Sequence, residues 1–375
     1  MNRRTLAIAA ASVAIIAIAA CSSGSSNGSS SGSSASSGSG SGGSSSSGGV
    51  AVPTQTVTLL THDSFAVTDS VLAGFEASTG IHIDVQKGQD AGALVNQAIL
   101  TKDNPQGDVL YGVDNTLIGK ALDAGLFEAY DSPDNVDIDP AFQLDPTHHA
   151  TSVDYSDVCI NTDKRAFDQP GKPAAPTTLD DLTKPEYKSQ LVVENPATSS
   201  PGLAFLLATI ARYGEDGYLA YWAKLKANDV KVVDGWTQAY EDTFTAGGGS
   251  GDRPLVVSYA TSPPADIVYA SSSKTTTDVG TITDGCYRQI EGAGILAGTK
   301  HLGAAQKLVD FLAGPAVQAD VPLQMFVYPV RKNTPLPSVF TTYAAQVSNP
   351  LQLDAKTVGA KRDGWISDWT SNVLR

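Results

Sequence analysis

Cysteine, basic residues and long apolar runs are all scarce in this chain of 375 residues. Three cysteines are too few for a disulfide-stapled scaffold, and the five histidines, His62, His82, His148, His149 and His301, show no metal-ligand spacing. No apolar stretch reaches the roughly 20 residues a helix needs to cross a bilayer; the longest, Leu6 to Ala20, is interrupted at Ser12. Lys and Arg number 25 against 39 Asp and Glu, which argues against nucleic acid and favours a cationic or neutral ligand. The same excess also serves simply to keep a surface solvated. Enzyme signatures are missing. Gly247-Gly248-Gly249-Ser250-Gly251 has no Lys-Ser/Thr ending of a phosphate loop, and neither HExxH nor a Cys-His pair occurs at nucleophile spacing. A GxSxG match, Gly28 to Gly32, sits in a Ser/Gly tract with no strand before it or helix after it.

The N-terminus is informative. Arg3 and Arg4, the short apolar core and the small residues before Cys21 read as a secretory signal over residues 1–20. The Ile18-Ala19-Ala20-Cys21 end is similar to the lipobox of bacterial lipoproteins, which implies cleavage before Cys21 and a lipid on its thiol. Residues 21–50 then form a tether: Ser22 to Gly49 contains no apolar residue except Ala35, so nothing offsets the entropy of ordering it. The expected location is the extracytoplasmic face of the cell membrane.

Beyond the tether, β-branched runs alternate with helical patterns. Thr56–Thr61, His82–Val85 and Asp108–Tyr111 read as strands, with helices starting at Val71, Ala93 and Leu117, the last running to Phe127. The pattern restarts with strands at Leu191–Val193, Val230–Val233 and Leu255–Tyr259 and an apolar helix at Leu203–Tyr213. This predicts an α/β protein of two lobes, each a mostly parallel sheet flanked by helices. The boundaries follow: residues 51–155 for the first part of lobe I, 156–286 for lobe II, and 287–375 for the return to lobe I, against which Trp365 and Trp369 pack. Asp131, Asp134, Asp137, Asp139 and Asp145 read as an exposed acidic linker. In an oxidising compartment the two remaining cysteines, Cys159 and Cys286, are expected to pair, with separately buried thiols as the alternative.

Ligands of open parallel sheets bind beyond the carboxyl ends of the strands. The loops there carry His62, Asp63 and Ser64; Asp114 and Asn115; Thr198, Ser199 and Ser200; Trp236 and Tyr240; and Tyr259 and Ser262. Asp63, Asp90, Asp114 and Asp154 suit an amino group or a cation, or else cap helices and close turns. Thr198 to Ser200 precede a helix, where they bind a phosphate or hydroxyl, or act as plain N-caps. Trp236, Tyr240, Tyr259, Phe326 and Tyr328 offer ring faces to a cation.

Seven segments in order carry a family resemblance: THDSF (Thr61–Phe65), GVDN (Gly112–Asn115), DY (Asp154, Tyr155), NPATSSPGL (Asn195–Leu203), GWTQAY (Gly235–Tyr240), VSYATSP (Val257–Pro263) and VYPV (Val327–Val330). Together they resemble the thiamine-binding substrate-binding proteins of ABC importers. The resemblance implies a type II periplasmic-binding-protein fold with the ligand cleft between the lobes, closing on thiamine or its phosphate esters. It also implies ABC permease subunits as partners, a monomer and no cofactor. Asp90, Thr198, Ser199 and Trp236 look like the positions that bind the hydroxyethyl or phosphate end. Tyr240, Tyr259 and Ser262 would line the cleft. His62 and Ala265 stand where enterobacterial members have Tyr, and Phe326 where they have Trp, so the stacking is rebuilt, with His62, Phe326 and Tyr328 as candidates. A ferric-iron or polyamine receptor of the same fold, with Tyr259 and Tyr240 or His62 as iron ligands, is the alternative within transport. An anchored hydrolase using Asp63 and Asp114 is the alternative of another class.

Overall fold

In this computed structural model the described residues are 54–248 and 250–375. The signal segment, Cys21 and the tether lie outside them. The strands are β1 (Gln55–Thr61), β2 (Ile81–Lys87), β3 (Val109–Asp114), β4 (Phe127–Glu128), β5 (Thr151–Asp163), β6 (Leu191–Glu194), β7 (Lys231–Val233), β8 (Leu255–Tyr259), β9 (Val279–Leu296) and β10 (Tyr328–Pro329). The helices are α1 (Asp69–Thr79), α2 (Ala91–Leu100), α3 (Ile118–Asp123), α4 (Lys164–Phe167), α5 (Ser200–Tyr213), α6 (Tyr218–Ala227), α7 (Pro263–Val268), α8 (Leu302–Ala313), α9 (Pro315–Gln324), α10 (Ser338–Tyr343) and α11 (Ala355–Trp369).

The main sheet runs β2-β1-β3-β9-β5-β8-β6-β7. Its flanks are parallel, β2-β1-β3 at one end and β8-β6-β7 at the other. Between them β5 and β9, of 13 and 18 residues, pair antiparallel and tie the two lobes together. Both strands turn antiparallel faces to the flanks, β9 to β3 and β5 to β8. The disulfide Cys159–Cys286 lies on this pair, with both residues buried.

Strand alternation sorts the core. Val57 and Leu59 of β1 face the cluster that includes Phe75 of α1 and Leu308 and Leu312 of α8, whereas Leu60 faces the cluster that includes Leu94 and Val95 of α2. In β3, Val109 and Tyr111 take the first side and Leu110 the second, yet Val113 joins Leu110. The parity changes because a register shift against β9 falls between Tyr111 and Val113, where Gly112 has φ 116°.

Three expectations need correction. The helix read from Leu117 to Phe127 ends at Asp123; Gly125 turns the chain at φ 63° and Phe127 enters β4, paired with β9. The tail does not return to lobe I alone: Trp369 meets Trp222 of α6 edge-on at 5.3 Å, while Gly359 lies beside Gly119 of α3. The acidic stretch is no solvated linker, since Arg331 holds Asp134 at 2.6 Å and Asp137 at 2.5 Å, and Asp145 is buried, accepting from the backbone of Thr147 and His149.

Candidate functional site: a cleft between acidic floor and aromatic wall

Three antiparallel pairings separate the flanks, so β1–β3 and β6–β8 run in opposite senses, and a cavity of about 740 Å³ opens where the loops after β1 and β2 meet those after β6, β7 and β8. Its wall on the lobe II side is aromatic. The Trp236 and Tyr240 rings stack at 5.0 Å and 12°, and Tyr259 lies 6.3 Å from Trp236. The indole is held in place, because Trp236 Nε1 donates to Ser258 Oγ at 2.9 Å and that hydroxyl lies 3.0 Å from Ser262 Oγ. At the mouth Tyr269 meets Phe326 edge-on at 5.4 Å, and Phe326 has φ 55°, a strained value for a bulky residue.

The opposite side is acidic. Asp63, Asp90 and Glu291 line it, against Lys87 and His62, while Glu241 and Asp242 line the cavity from the segment that carries Tyr240. His62 Nε2 lies 3.6 Å from Glu291 Oε2. Burial favours the neutral ring, but Glu291, then Asp90 and Asp63, outweigh it and raise the His62 pKa above 6.5. Behind them Tyr111 Oη reaches both Asp154 and, at 2.8 Å, Glu291 Oε2. Burial first, then the charge of Glu291, pushes Asp154 well above the ordinary carboxylate range. The phenol hydrogen serves one carboxylate at a time.

Asp90 joins the two sides. Its carboxylate accepts from Ser200 N at 2.9 Å and from Trp236 N at 3.0 Å. Burial raises its pKa, opposed by those same two donors. Next to it, Ala93 N donates to Thr198 O at 2.8 Å. Asp90 therefore occupies the start of α5, where an anion would otherwise sit. The remaining donors there are also satisfied: Pro201 has none, Gly202 N goes to Ser199 Oγ at 3.3 Å, and Leu203 N goes to Ser199 O at 3.0 Å.

Of the residues singled out in the sequence, His62, Asp63, Ser64, Asp90, Ser200, Trp236, Tyr240, Tyr259, Ser262 and Phe326 line the cavity. Seven do not, each for a visible reason. Asp114 is buried beneath it, bonded to Ser200 Oγ and Gln289 and capping Thr116 and Leu117, with burial raising its pKa to about 6. Asn115 bridges to the backbone of Arg288 and Ile290. Asp154 lies behind Tyr111. Tyr155 and Tyr328 stack on each other at 5.2 Å, and Arg288 sits 5.1 Å over Tyr155. Thr198 donates to Asp234 O at 2.7 Å, and Ser199 is the N-cap of α5.

Sequence reasoning missed Glu291, Gln289, Lys87 and Tyr269. Glu291 and Gln289 sit in the middle of β9, an antiparallel strand with no loop to flag them. Tyr269 had a signal, since it falls four residues after Ala265, one helical turn along α7.

Residues 104–363 match the family of bacterial extracellular solute-binding proteins, and the chain belongs to that family. It is 31% identical over 324 residues to the thiamine-binding periplasmic protein of Escherichia coli (strain K12), spanning 85% of this chain and 94% of that protein. It is 27% identical over 327 residues to the thiamine-binding periplasmic protein of Brucella suis biovar 1 (strain 1330), spanning 85% and 92%. A solved periplasmic thiamin binding protein superposes with a TM-score of 0.74 at 29% identity, covering 85% of this chain and 96% of that one. Iron-bound HitA from Pseudomonas aeruginosa shares the fold at TM-score 0.66 and 18% identity, covering 84% and 98%. The two-lobed, type II architecture expected from the resemblance is the one these structures share.

Proposed function

We propose that this protein is an extracytoplasmic receptor that closes its two lobes on thiamine, or on a thiamine phosphate, and delivers it to the permease of an ABC importer. The observation that carries the reading is the pairing of a stacked Trp236–Tyr240 wall with a carboxylate floor around Glu291. A thiazolium is a permanent cation suited to ring faces and carboxylates, and its aminopyrimidine supplies donors and acceptors to the groups between them. Relatives that bind thiamine support the same reading. A signal peptide cleaved before Cys21, a lipid on that cysteine and the Ser/Gly tether would keep a monomeric receptor near the membrane yet free to reach its permease.

Two features refine the ligand. Every donor at the start of α5 is taken, so an ester phosphate adds no affinity there. Burial raises the Tyr259 and Tyr240 pKa values, which opposes the tyrosinate form that an iron receptor would require.

Calorimetric titration of the protein, unfolded and refolded to strip carried ligand, tests the proposal with thiamine and its mono- and diphosphate. One-to-one binding at micromolar affinity or tighter, with the esters no tighter than thiamine, is the expected result. Absence of heat with all three from folded protein refutes the thiamine assignment.

A further inference from the structure

An arriving cation meets a contact already made on the cleft floor. His62 follows the end of β1, and its Nε2 lies 3.6 Å from Glu291 Oε2, with both side chains 13% exposed. The ring is held from behind: Tyr111 lies 5.5 Å away, and a Cβ on Gly112 would come within 3.1 Å of His62 Cδ2. The charged and titratable groups around it are Glu291 of β9, Asp90 before α2, Asp63 of its own loop, Tyr111 of β3 with Asp154 of β5 behind it, and Lys87 at the end of β2. Tyr259 of β8 lines the same cavity. Of the two bases there, His62 is the one that sheds its charge near neutral pH.

We propose that His62 is a resident cation that the ligand replaces: in the empty cleft its imidazolium neutralises Glu291, and a ligand with a fixed positive charge takes that place and drives the imidazole proton into solvent. This rests on the cationic-ligand reading above and makes Glu291 the ligand's counter-charge and His62 a determinant of specificity. The proton balance is simple. Protein with His62 protonated plus cationic ligand gives the complex with neutral His62 plus one proton. Two like charges cannot share Glu291 at contact distance in a partly desolvated cleft without strong repulsion, and only the imidazole is able to yield.

The free protein therefore binds more protons than the complex, so affinity rises with pH. The dependence is about tenfold per unit below the His62 pKa of the free protein and flattens above it. Asp90 and Asp114 also have raised pKa values, and a bound cation lowers them too. The Asp114 share of proton release falls at about pH 6 and below, and any share from Asp90 or Asp154 is common to wild type and His62→Gln, so the His62 share is read as the difference between the two proteins.

Two measurements on the full chain test this. The first follows the imidazole signals by NMR in ligand-free protein, wild type against Glu291→Gln. A His62 pKa that drops in the variant is expected, and an unmoved pKa overturns the proposal whatever the ligand. The second is calorimetry with thiamine at pH 7 in phosphate and Tris, whose different ionisation heats count protons released. Proton release by wild type that falls in His62→Gln, together with a weaker pH dependence of Kd above pH 6.5, supports the proposal. Equal release by both proteins, or none by wild type, overturns it. No heat at all from wild type, with a His62 pKa that still responds to Glu291→Gln, refutes the thiamine assignment and leaves the His62–Glu291 pairing established.

Discussion

Gly92→Ala should separate ligand affinity from stability. Gly92 is the second residue of α2, and a Cβ there would stand 2.7 Å from Thr198 C and O and 3.0 Å from Ser199 N. These are backbone atoms, so no rotamer change relieves the clash. Ordinary contact begins at 3.4 Å, so α2 and the Asn195–Ser200 loop must separate by about 0.7 Å. That separation strains three hydrogen bonds across the cleft: Ala93 N to Thr198 O at 2.8 Å, Ser200 N to Asp90 at 2.9 Å and Trp236 N to Asp90 at 3.0 Å. A hydrogen bond to a charged group contributes about 1.5–3 kcal/mol, so losing one from the closed state weakens ligand binding roughly 10- to 100-fold. With the lobes apart the methyl group meets nothing, and alanine is the better helix former by up to about 1 kcal/mol. Calorimetry should therefore show the weaker Kd while the melting temperature without ligand stays level or rises. Affinity within twofold of wild type would refute the closure argument. So would a matching fall in ligand-free stability, because it would make the α2 contact a permanent part of the fold.

Three further outcomes are expected. Trp236→Ala removes the ring face set by Ser258 and should weaken thiamine binding at least about tenfold, measured by calorimetry, with near-native circular dichroism. Asp114 has its pKa raised by burial from 3.8 to about 6, so the folded state holds a proton that the unfolded state releases across that window. Its contribution is therefore favourable below pH 4 and is lost as pH rises through about 6, by roughly 3 kcal/mol; in urea titrations at pH 4 and 6.5 Asp114→Asn should remove that much of the pH dependence. Cys286→Ser opens a loop closed over 127 residues and should cost about 3 to 5 kcal/mol in denaturant unfolding under non-reducing conditions.

The alternating β and α pattern was legible because each parallel strand is a short β-branched run and each helix carries an apolar face. Loops after such strands must lie at their carboxyl ends, so His62, Trp236, Tyr259 and Ser262 could be marked as cleft candidates without coordinates. Tyr155 and Tyr328 carried the same kind of signal but stack on each other away from the cavity, with Arg288 over Tyr155. An aromatic ring near a strand end has two faces of the sheet to choose from, and sequence does not say which. The N-cap role of Ser199 was one of two readings open for the loop before α5. Asp90 decided between them by taking the Ser200 N–H itself.

What the linear chain determined, then, is the local and the periodic: which segments become strands and helices, where turns fall, and which residue types gather at strand ends. Those properties depend on neighbours within a few positions. Tertiary structure decided the rest. The bulge at Gly112 switches Val113 to the other face of the sheet, because one extra residue shifts a two-residue period. Glu291 becomes the floor of the cleft only because β9 runs antiparallel between β3 and β5, bringing it to His62 from 229 positions away. A carboxylate in mid-strand is unremarkable in one dimension, and its charge acquires a role only where the fold supplies an imidazole on one side and an aromatic wall on the other.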